Sequence, residues 1–409
     1  MPADSSLLSP ASTVPGRSAA RRSLTLLGIV VLAINLRPAV SSLGISLGDV
    51  GDSLGFSGST AGLLTTLPVL CFAGVGAATT ALTRRFGVHS SVLLATCMVA
   101  AGLLTRGLTS STLVFLLAST VALSGIAVAN VALPHLVKLH FPDHIAAVAG
   151  LYSALLMAGA FLPSVVTVPL DEAAGTWRAG LLVWAGVAFL AILPWLALAR
   201  HEVRADLAVH GRVHVSMLLR SRLAWSLAVF CGLQSAMAYT QFGWLTQIYQ
   251  DAGLTQQRAS LLLGLLALIG IPVPLVLPWL FRHVHDHRMF VVGFSLCGSA
   301  GFTGLWLAPS TAPVLWAALM GLGGGAFPYV LTMIGLRART PDATAVLSGF
   351  VQSLSYLIAA IGPFAAGVLN EATGEWDIPL AVLAALGLPM MVAGLGFARE
   401  QYIEDEVLR

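Results

Sequence analysis

The sequence predicts an all-α polytopic membrane protein with twelve transmembrane helices in two six-helix pseudo-repeats. Of its 409 residues, 57% are hydrophobic and only 10% are charged, whereas soluble domains carry about 25% charged residues. A bilayer core of roughly 30 Å requires about 20 apolar residues per helix, and twelve segments meet this requirement. The net charge of +3 is too small to indicate a nucleic-acid partner.

The twelve predicted segments are spaced along the whole chain. The first six cover residues 24–47, 58–82, 89–107, 111–137, 144–170 and 178–199. The second six cover residues 223–249, 256–281, 289–308, 312–336, 343–369 and 379–398. The polar and basic stretch 1–23 is predicted to be a cytoplasmic tail and not part of a signal peptide, because the apolar run after it is too long.

The distribution of Lys and Arg among the loops predicts that both termini are cytoplasmic, in an inner (cytoplasmic) membrane. Only Arg106, Arg178 and Arg258 fall on the opposite side under this orientation. The cytoplasmic loops carry Arg84, Arg85, Lys138, Arg200, Arg204, Arg212, Arg220, Arg222, Arg282, Arg288, Arg337 and Arg339.

A long polar connection divides the chain into two similar halves. We predict a first six-helix bundle at 24–199, a cytoplasmic linker at 200–222, a second bundle at 223–398 and a cytoplasmic tail at 399–409. The stretch FPDHIAAVAG (141–150) aligns with TPDATAVLSG (340–349) at an offset of 199 residues. A parallel six-plus-six repeat is typical of the major facilitator fold, in which the substrate site lies at the midplane between the halves.

Arg37 is the main candidate functional residue. It lies near the middle of the first segment, in LAINLRPAVSSLG, and no Asp or Glu falls inside any of the twelve segments. A cation at this depth costs about 2.5–3.5 kcal/mol on insertion scales. One interpretation is an arginine that binds helix-end carbonyls, and the other is a binding site for an anion or a strong hydrogen-bond acceptor. Pro38 follows directly and is expected to kink the helix, either as a gating point or as a tolerated proline.

Further polar residues occur at helical spacing in several segments, a pattern that favours the lining of an aqueous cavity. We predict a substrate-binding set of Arg37, Asn35, Ser42, Asn130, Gln234, Tyr239, Trp244, Gln352 and Tyr356. His135 is a candidate proton carrier, although the position favours a hydrogen-bonded packing histidine.

No catalytic, cofactor or metal site is predicted. His283, His285 and His287 alternate in a basic loop without thiolates, which favours a solvated loop over a metal site. The expected partners are a small-molecule substrate, a co-transported ion and the lipid bilayer, with no nucleic acid, and we expect a monomer.

Four stretches carry a family resemblance. NLRPAVSSLG, LTTLPVL (64–70), GIAVANVALPHLVKLHFP (125–142) and GLGGGAFPYVLTMIGLRA (321–338) resemble the cyanate and 2-nitroimidazole transporter (CynX/NimT) family of the major facilitator superfamily. The resemblance implies secondary transport of a small molecule. Members of the family either take up a small anion or expel a drug-like heterocycle.

Three functions are therefore open at the level of sequence. The first is alternating-access transport, active or facilitative, of a small anionic or electron-rich solute such as cyanate at Arg37. The second is a multidrug-type exporter of neutral nitro-aromatic or azole compounds such as 2-nitroimidazole. The third, a membrane sensor that transports nothing, is disfavoured because the sequence shows no appended soluble domain.

Overall fold

The computed structural model describes residues 15–200, 214–284 and 286–407, and within these ranges the chain is helical with short connections. Twelve helical segments of the described chain, some of them made of two consecutive helices, are long and apolar enough to cross a membrane, which confirms the predicted number of spans. Arg204, Arg212, His285 and most of the predicted linker and N-terminal tail lie outside the described residues.

The first half of the protein contains spans 1 to 6. Span 1 consists of two helices, Pro15–Asn35 and Pro38–Ile45, and is followed by a short helix, Leu47–Leu54. Spans 2 to 6 are Gly58–Phe86, Val88–Leu108, Thr112–His140, Ile145–Ala174 and Arg178–Ala199.

The second half contains spans 7 to 12. A short helix, Val215–Leu218, precedes span 7. Spans 7 to 12 are Arg222–Asp251, Gln256–Gly270 with Val273–His283, Arg288–Leu307, Pro313–Gly323 with Ala326–Leu336, Pro341–Thr373, and Asp377–Ala385 with Gly387–Ala398.

Span 1 is interrupted between Asn35 and Pro38. Pro38 has no backbone N–H, so it cannot bond to the carbonyl of Ile34 and continue the helix. It occupies instead the first turn of the next helix, where the missing N–H costs no hydrogen bond. Arg37 is therefore carried on the turn between two helices.

The two halves approach each other closely through small residues. Span 2 packs against span 11, and span 5 against span 8. A Cβ atom added to Gly44 would overlap the carbonyl oxygen of Phe242, so spans 1 and 7 touch backbone to backbone. Glycine permits this contact because it has no side chain.

We call the side of the protein with the connection between spans 6 and 7 the linker face, and the other side the opposite face. Hydrogen bonds join the halves at the opposite face. The Gln256 side chain donates to the carbonyl of Ile45 at 3.2 Å and to a carboxylate oxygen of Asp49 at 2.7 Å. The backbone N–H of Ser59 donates to the Glu371 carboxylate at 2.6 Å. The halves are therefore held together on this side of the cavity described below.

A short acidic helix at the linker face, Ile403–Val407, binds the beginnings of two spans, and we call it the C-terminal clasp. Glu406 accepts a hydrogen bond from the backbone N–H of Arg222 at 2.8 Å, at the start of span 7. Glu404 accepts one from the N–H of Thr340 at 3.1 Å, just before span 11. The first N–H groups of a helix have no partner inside the helix, and a carboxylate there satisfies them and complements the helix dipole.

Candidate functional site

A cavity of about 260 Å³ lies between the two halves. Its walls come from spans 1, 2, 4 and 5 of the first half and spans 7, 8, 10 and 11 of the second half. Pro134, Pro274 and Leu331 extend the lining into the linker-face portions of spans 4, 8 and 10. A solute in this cavity would touch both halves at once.

Arg37 reaches the cavity wall from the turn that interrupts span 1. It lies close to Tyr239 of span 7 in the cavity wall. Its Nε is buried and has no hydrogen-bond partner among the described residues. The cation therefore keeps donor capacity that only a solute, an ion or water can use.

Three aromatic rings meet beside this guanidinium. The ring centroid of Phe72 lies 6.3 Å from that of Tyr239 and 5.2 Å from that of Tyr356. Span 2 supplies Phe72, whereas the tyrosines come from spans 7 and 11. Tilted rings at these separations attract each other, and together they give the cavity an aromatic wall next to a cation.

Amide side chains supply most of the other polar lining. Gln234 and Gln241 are each 5% exposed and lie on span 7. Gln352 donates to the Ser348 hydroxyl at 2.7 Å, and Asn130 projects from span 4 on the other side of the cavity. Within the described chain, no carboxylate lines the cavity. The electrostatic balance of the site is therefore positive, and its donors suit a solute that is rich in hydrogen-bond acceptors.

The structure brings six of the nine predicted substrate-binding residues together in the cavity wall. These are Arg37, Asn130, Gln234, Tyr239, Gln352 and Tyr356. Their contribution to substrate binding stays a prediction.

The other three predicted residues lie away from the cavity lining. Asn35 donates to the carbonyl of Val31 at 2.8 Å, and Ser42 donates to that of Pro38 at 2.6 Å. Each bonds one helical turn back on its own helix, a common arrangement that satisfies a polar side chain in a membrane span. Trp244 donates to the carbonyl of Pro363 at 3.0 Å and is 4% exposed, so its indole N–H binds span 11.

His135 is half-buried on span 4 and is not part of the lining, although its neighbour Pro134 is. Its role as a proton carrier stays a prediction. Among the described residues, no group of three or more His, Cys, Asp or Glu side chains could hold a metal ion.

Several lining residues were not in the predicted set. Phe72, Met157, Phe242 and Phe327 are apolar, and their residue types are equally common on lipid-facing surfaces. Gln241 is different, because it belongs to the same polar stretch of span 7 as Gln234 and Tyr239. That density of polar residues in one span is a sequence signal that favours cavity lining for Gln241 as well.

The chain is similar to known membrane transporters over most of its length. The model of the Major Facilitator Superfamily matches residues 27–363. The chain is 35% identical over 387 residues to the 2-nitroimidazole transporter of Escherichia coli (strain K12), covering 94% of this chain and 98% of that protein. It is 31% identical over 376 residues to the cyanate transport protein CynX of the same organism, covering 91% and 97%.

The fold is also similar to that of a solved structure. This is a bacterial homolog of the human lysosomal transporter Spinster in an inward-facing and unoccupied conformation. The TM-score is 0.71 with 15% sequence identity, and the match covers 95% of this chain and 98% of that chain.

Proposed function

Since the chain belongs to the major facilitator superfamily of membrane transporters, we propose that it moves a small anionic or electron-rich solute by alternating access. The observation that carries this proposal is the Arg37 guanidinium, which reaches a cavity that has no carboxylate among its described lining residues. Its buried Nε also has no partner in the described chain, which supports a role for this arginine in binding a solute over a role in packing alone.

The position of the cavity supports alternating access between the halves. The polar contacts at Gln256 and Ser59 hold the halves together at the opposite face, and the lining continues toward the linker face. We propose that this is the inward-facing state, with the linker face and both termini in the cytoplasm and the protein in the inner membrane. Outward opening then requires those contacts to separate.

The proposed order of binding follows from the two sides of the site. A solute that enters from the linker face meets Arg37 on the first half and Tyr239 on the second half. An acceptor group that binds both donors adds an attraction between the halves, because each donor belongs to a different half. Part of the free energy of solute binding thereby drives the conformational change.

A second candidate is the export of neutral nitro-aromatic or azole compounds such as 2-nitroimidazole, and the size of the cavity favours it. About 260 Å³ is far more than a triatomic anion fills and is close to the lower limit of roughly 300 Å³ for pockets that hold drug-sized ligands. The ring wall of Phe72, Tyr239 and Tyr356 would stack on a planar heterocycle. A nitro group carries oxygen acceptors that Arg37 could bind.

Transport by purified protein in proteoliposomes tests both candidates. Radiolabelled cyanate and 2-nitroimidazole are the probes, and Arg37→Ala and Arg37→Lys are compared with Arg258→Ala, an exposed arginine on the opposite face. We expect saturable flux of at least one probe, with KM raised about tenfold or more in Arg37→Ala and little changed in Arg258→Ala. Unchanged KM and rate in both Arg37 variants would exclude the Arg37 site, and no flux of either probe would exclude both candidate solutes.

A further inference from the structure

Arg106 is a second arginine without a carboxylate partner, and its side chain is completely buried, with an exposed fraction of 0%. It lies in the last turn of span 3. One terminal nitrogen donates to the carbonyl of Ala39 at 3.0 Å, while Nε and the other terminal nitrogen have no partner within the described ranges. The guanidinium carbon is 5.9 Å from the centroid of the Phe115 ring.

This burial is unfavourable for stability. Removing an ion from water costs several kcal/mol, and only well-placed partners recover it. A single carbonyl and the face of one ring satisfy Arg106 incompletely. A neutral side chain would pack at this position at lower cost, so the arginine is better explained by the group that it binds.

That group belongs to the segment that carries the proposed substrate-binding cation. Ala39 lies in the first turn of the helix Pro38–Ile45, two residues after Arg37. The interruption before Pro38 uncouples this helix from the first helix of span 1. Its position therefore depends on lateral contacts rather than on a continuous backbone ladder.

Two side chains from other spans bind the backbone of this short helix at its ends. Arg106 binds the carbonyl of Ala39 from span 3, in the same half. Gln256 binds the carbonyl of Ile45 from span 8, in the other half. When the halves separate at the opposite face, the second contact is lost and the first can persist.

We propose that Arg106 is a positioning residue that fixes the first turn of the helix Pro38–Ile45 and so directs the Arg37 guanidinium into the cavity. The inference rests on the proposed function of Arg37. It assigns Arg106 no contact with the solute, because its side chain is not part of the cavity lining. Its effect must therefore pass through Arg37.

A double-mutant cycle tests this proposal. Arg106→Met removes the hydrogen bond and the charge, whereas Arg106→Gln removes the charge but keeps an N–H donor for the carbonyl of Ala39. Each is made with Arg37 intact and with Arg37→Ala, and uptake of cyanate and 2-nitroimidazole into proteoliposomes gives KM and Vmax. Both variants are expected to insert, because they relieve the burial of a charge.

We expect Arg106→Met to raise KM about tenfold with Vmax within about twofold of wild type. Arg106→Gln should recover most of this loss. In the Arg37→Ala background, adding Arg106→Met should not reduce uptake at low substrate concentration any further. The effects of two substitutions on uptake are not additive when one residue acts through the other.

Three results would overturn the proposal. The first is an unchanged KM in Arg106→Met, and the second is an equal loss of uptake from Arg106→Met in the Arg37→Ala background. The third is a rise in KM of about tenfold in Arg106→Gln, which would mean that the charge of Arg106 acts and not its hydrogen bond. In each case the proposed function still stands if Arg37→Ala by itself raises KM. If Arg37→Ala has no effect, both the proposed function and this inference fail. Should Arg106→Met not reach the membrane, Arg106→Leu is measured in its place, with the same expected rise in KM.

Discussion

The ring centroids of Phe72 in span 2 and Tyr356 in span 11 lie 5.2 Å apart, so an aromatic contact joins the two halves at the cavity wall. Beyond it, toward the opposite face, the same two spans pack closely where Gly62 meets Gly367. The contact therefore marks the end of the cavity at which the halves close on each other.

Substitution of Phe72 separates the two candidate functions. Phe72→Leu removes the ring but keeps an apolar side chain. It should raise KM for 2-nitroimidazole about threefold to tenfold, which corresponds to the interaction free energy of one aromatic pair. KM for cyanate should stay within about twofold, because a triatomic anion needs no ring wall. Uptake kinetics with both probes measure this difference.

Phe189→Leu is the matched control for Phe72, since Phe189 is 46% exposed on span 6 and lines no part of the cavity. An equal rise in KM for both probes in Phe72→Leu would contradict stacking and indicate a general change of cavity shape.

The Tyr239 hydroxyl should strengthen solute binding together with Arg37. Tyr239→Phe keeps the ring and removes only the oxygen, so KM for the transported solute should rise about twofold to tenfold, the usual net value of one hydrogen bond. The control is Tyr249→Phe, in which a buried hydroxyl that binds the carbonyl of Pro313 is lost away from the cavity. This second variant should lower the melting temperature and leave KM as in wild type. A raised KM in Tyr249→Phe together with an unchanged KM in Tyr239→Phe would contradict the proposed site.

The carboxylate of Glu371 should stabilise closure at the opposite face. Glu371→Gln weakens its bond with the backbone N–H of Ser59 and should favour outward opening. The readout is the rate at which a membrane-impermeant maleimide, added from the opposite face, labels Ser235→Cys in the cavity. The four native cysteines are replaced for this experiment.

We expect labelling to be several-fold faster in Glu371→Gln, because a charged acceptor is replaced by a weaker neutral one. Glu375→Gln changes an exposed carboxylate on the same face and should not alter the rate. Equal rates in wild type and Glu371→Gln would mean that this contact does not hold the halves together.

The C-terminal clasp should contribute to stability and not to solute affinity. Glu406→Ala leaves the first N–H groups of span 7 without their acceptor, so the melting temperature of the purified protein should fall by about 2 °C, as expected for loss of a helix cap. Glu172→Ala, an exposed carboxylate on the other side, is the control. A change in KM with an unchanged melting temperature would contradict a purely structural clasp.

The number and place of the spans could be predicted from sequence, because apolar length is a requirement of the bilayer itself. The interruption at Pro38 was also foreseeable, since proline lacks the N–H that a helix needs. The interruption of span 10 was not, because Gly324 and Gly325 resemble the many small residues that only permit close packing.

Within the site, the presence of a polar side chain pointed to Arg37 and Tyr239. It did not distinguish polar residues that line the cavity from polar residues that bond to their own helix. Asn35 and Ser42 have the same character as lining residues, yet each is satisfied by its own helix. Phe72 shows the opposite case, because an apolar side chain in a membrane span gives no sign of whether it faces lipid or a solute. Arg106 was counted with the opposite-face cations, since loop charge statistics take no account of burial.

The C-terminal clasp has a consequence for biosynthesis. Glu406 caps the start of span 7, whose first residue, Arg222, precedes it by 184 positions in the chain. On the ribosome, spans 7 and 11 are thus synthesised before the carboxylates that bind their linker-face ends. The second half of the protein therefore reaches its final packing only when translation has passed Glu406.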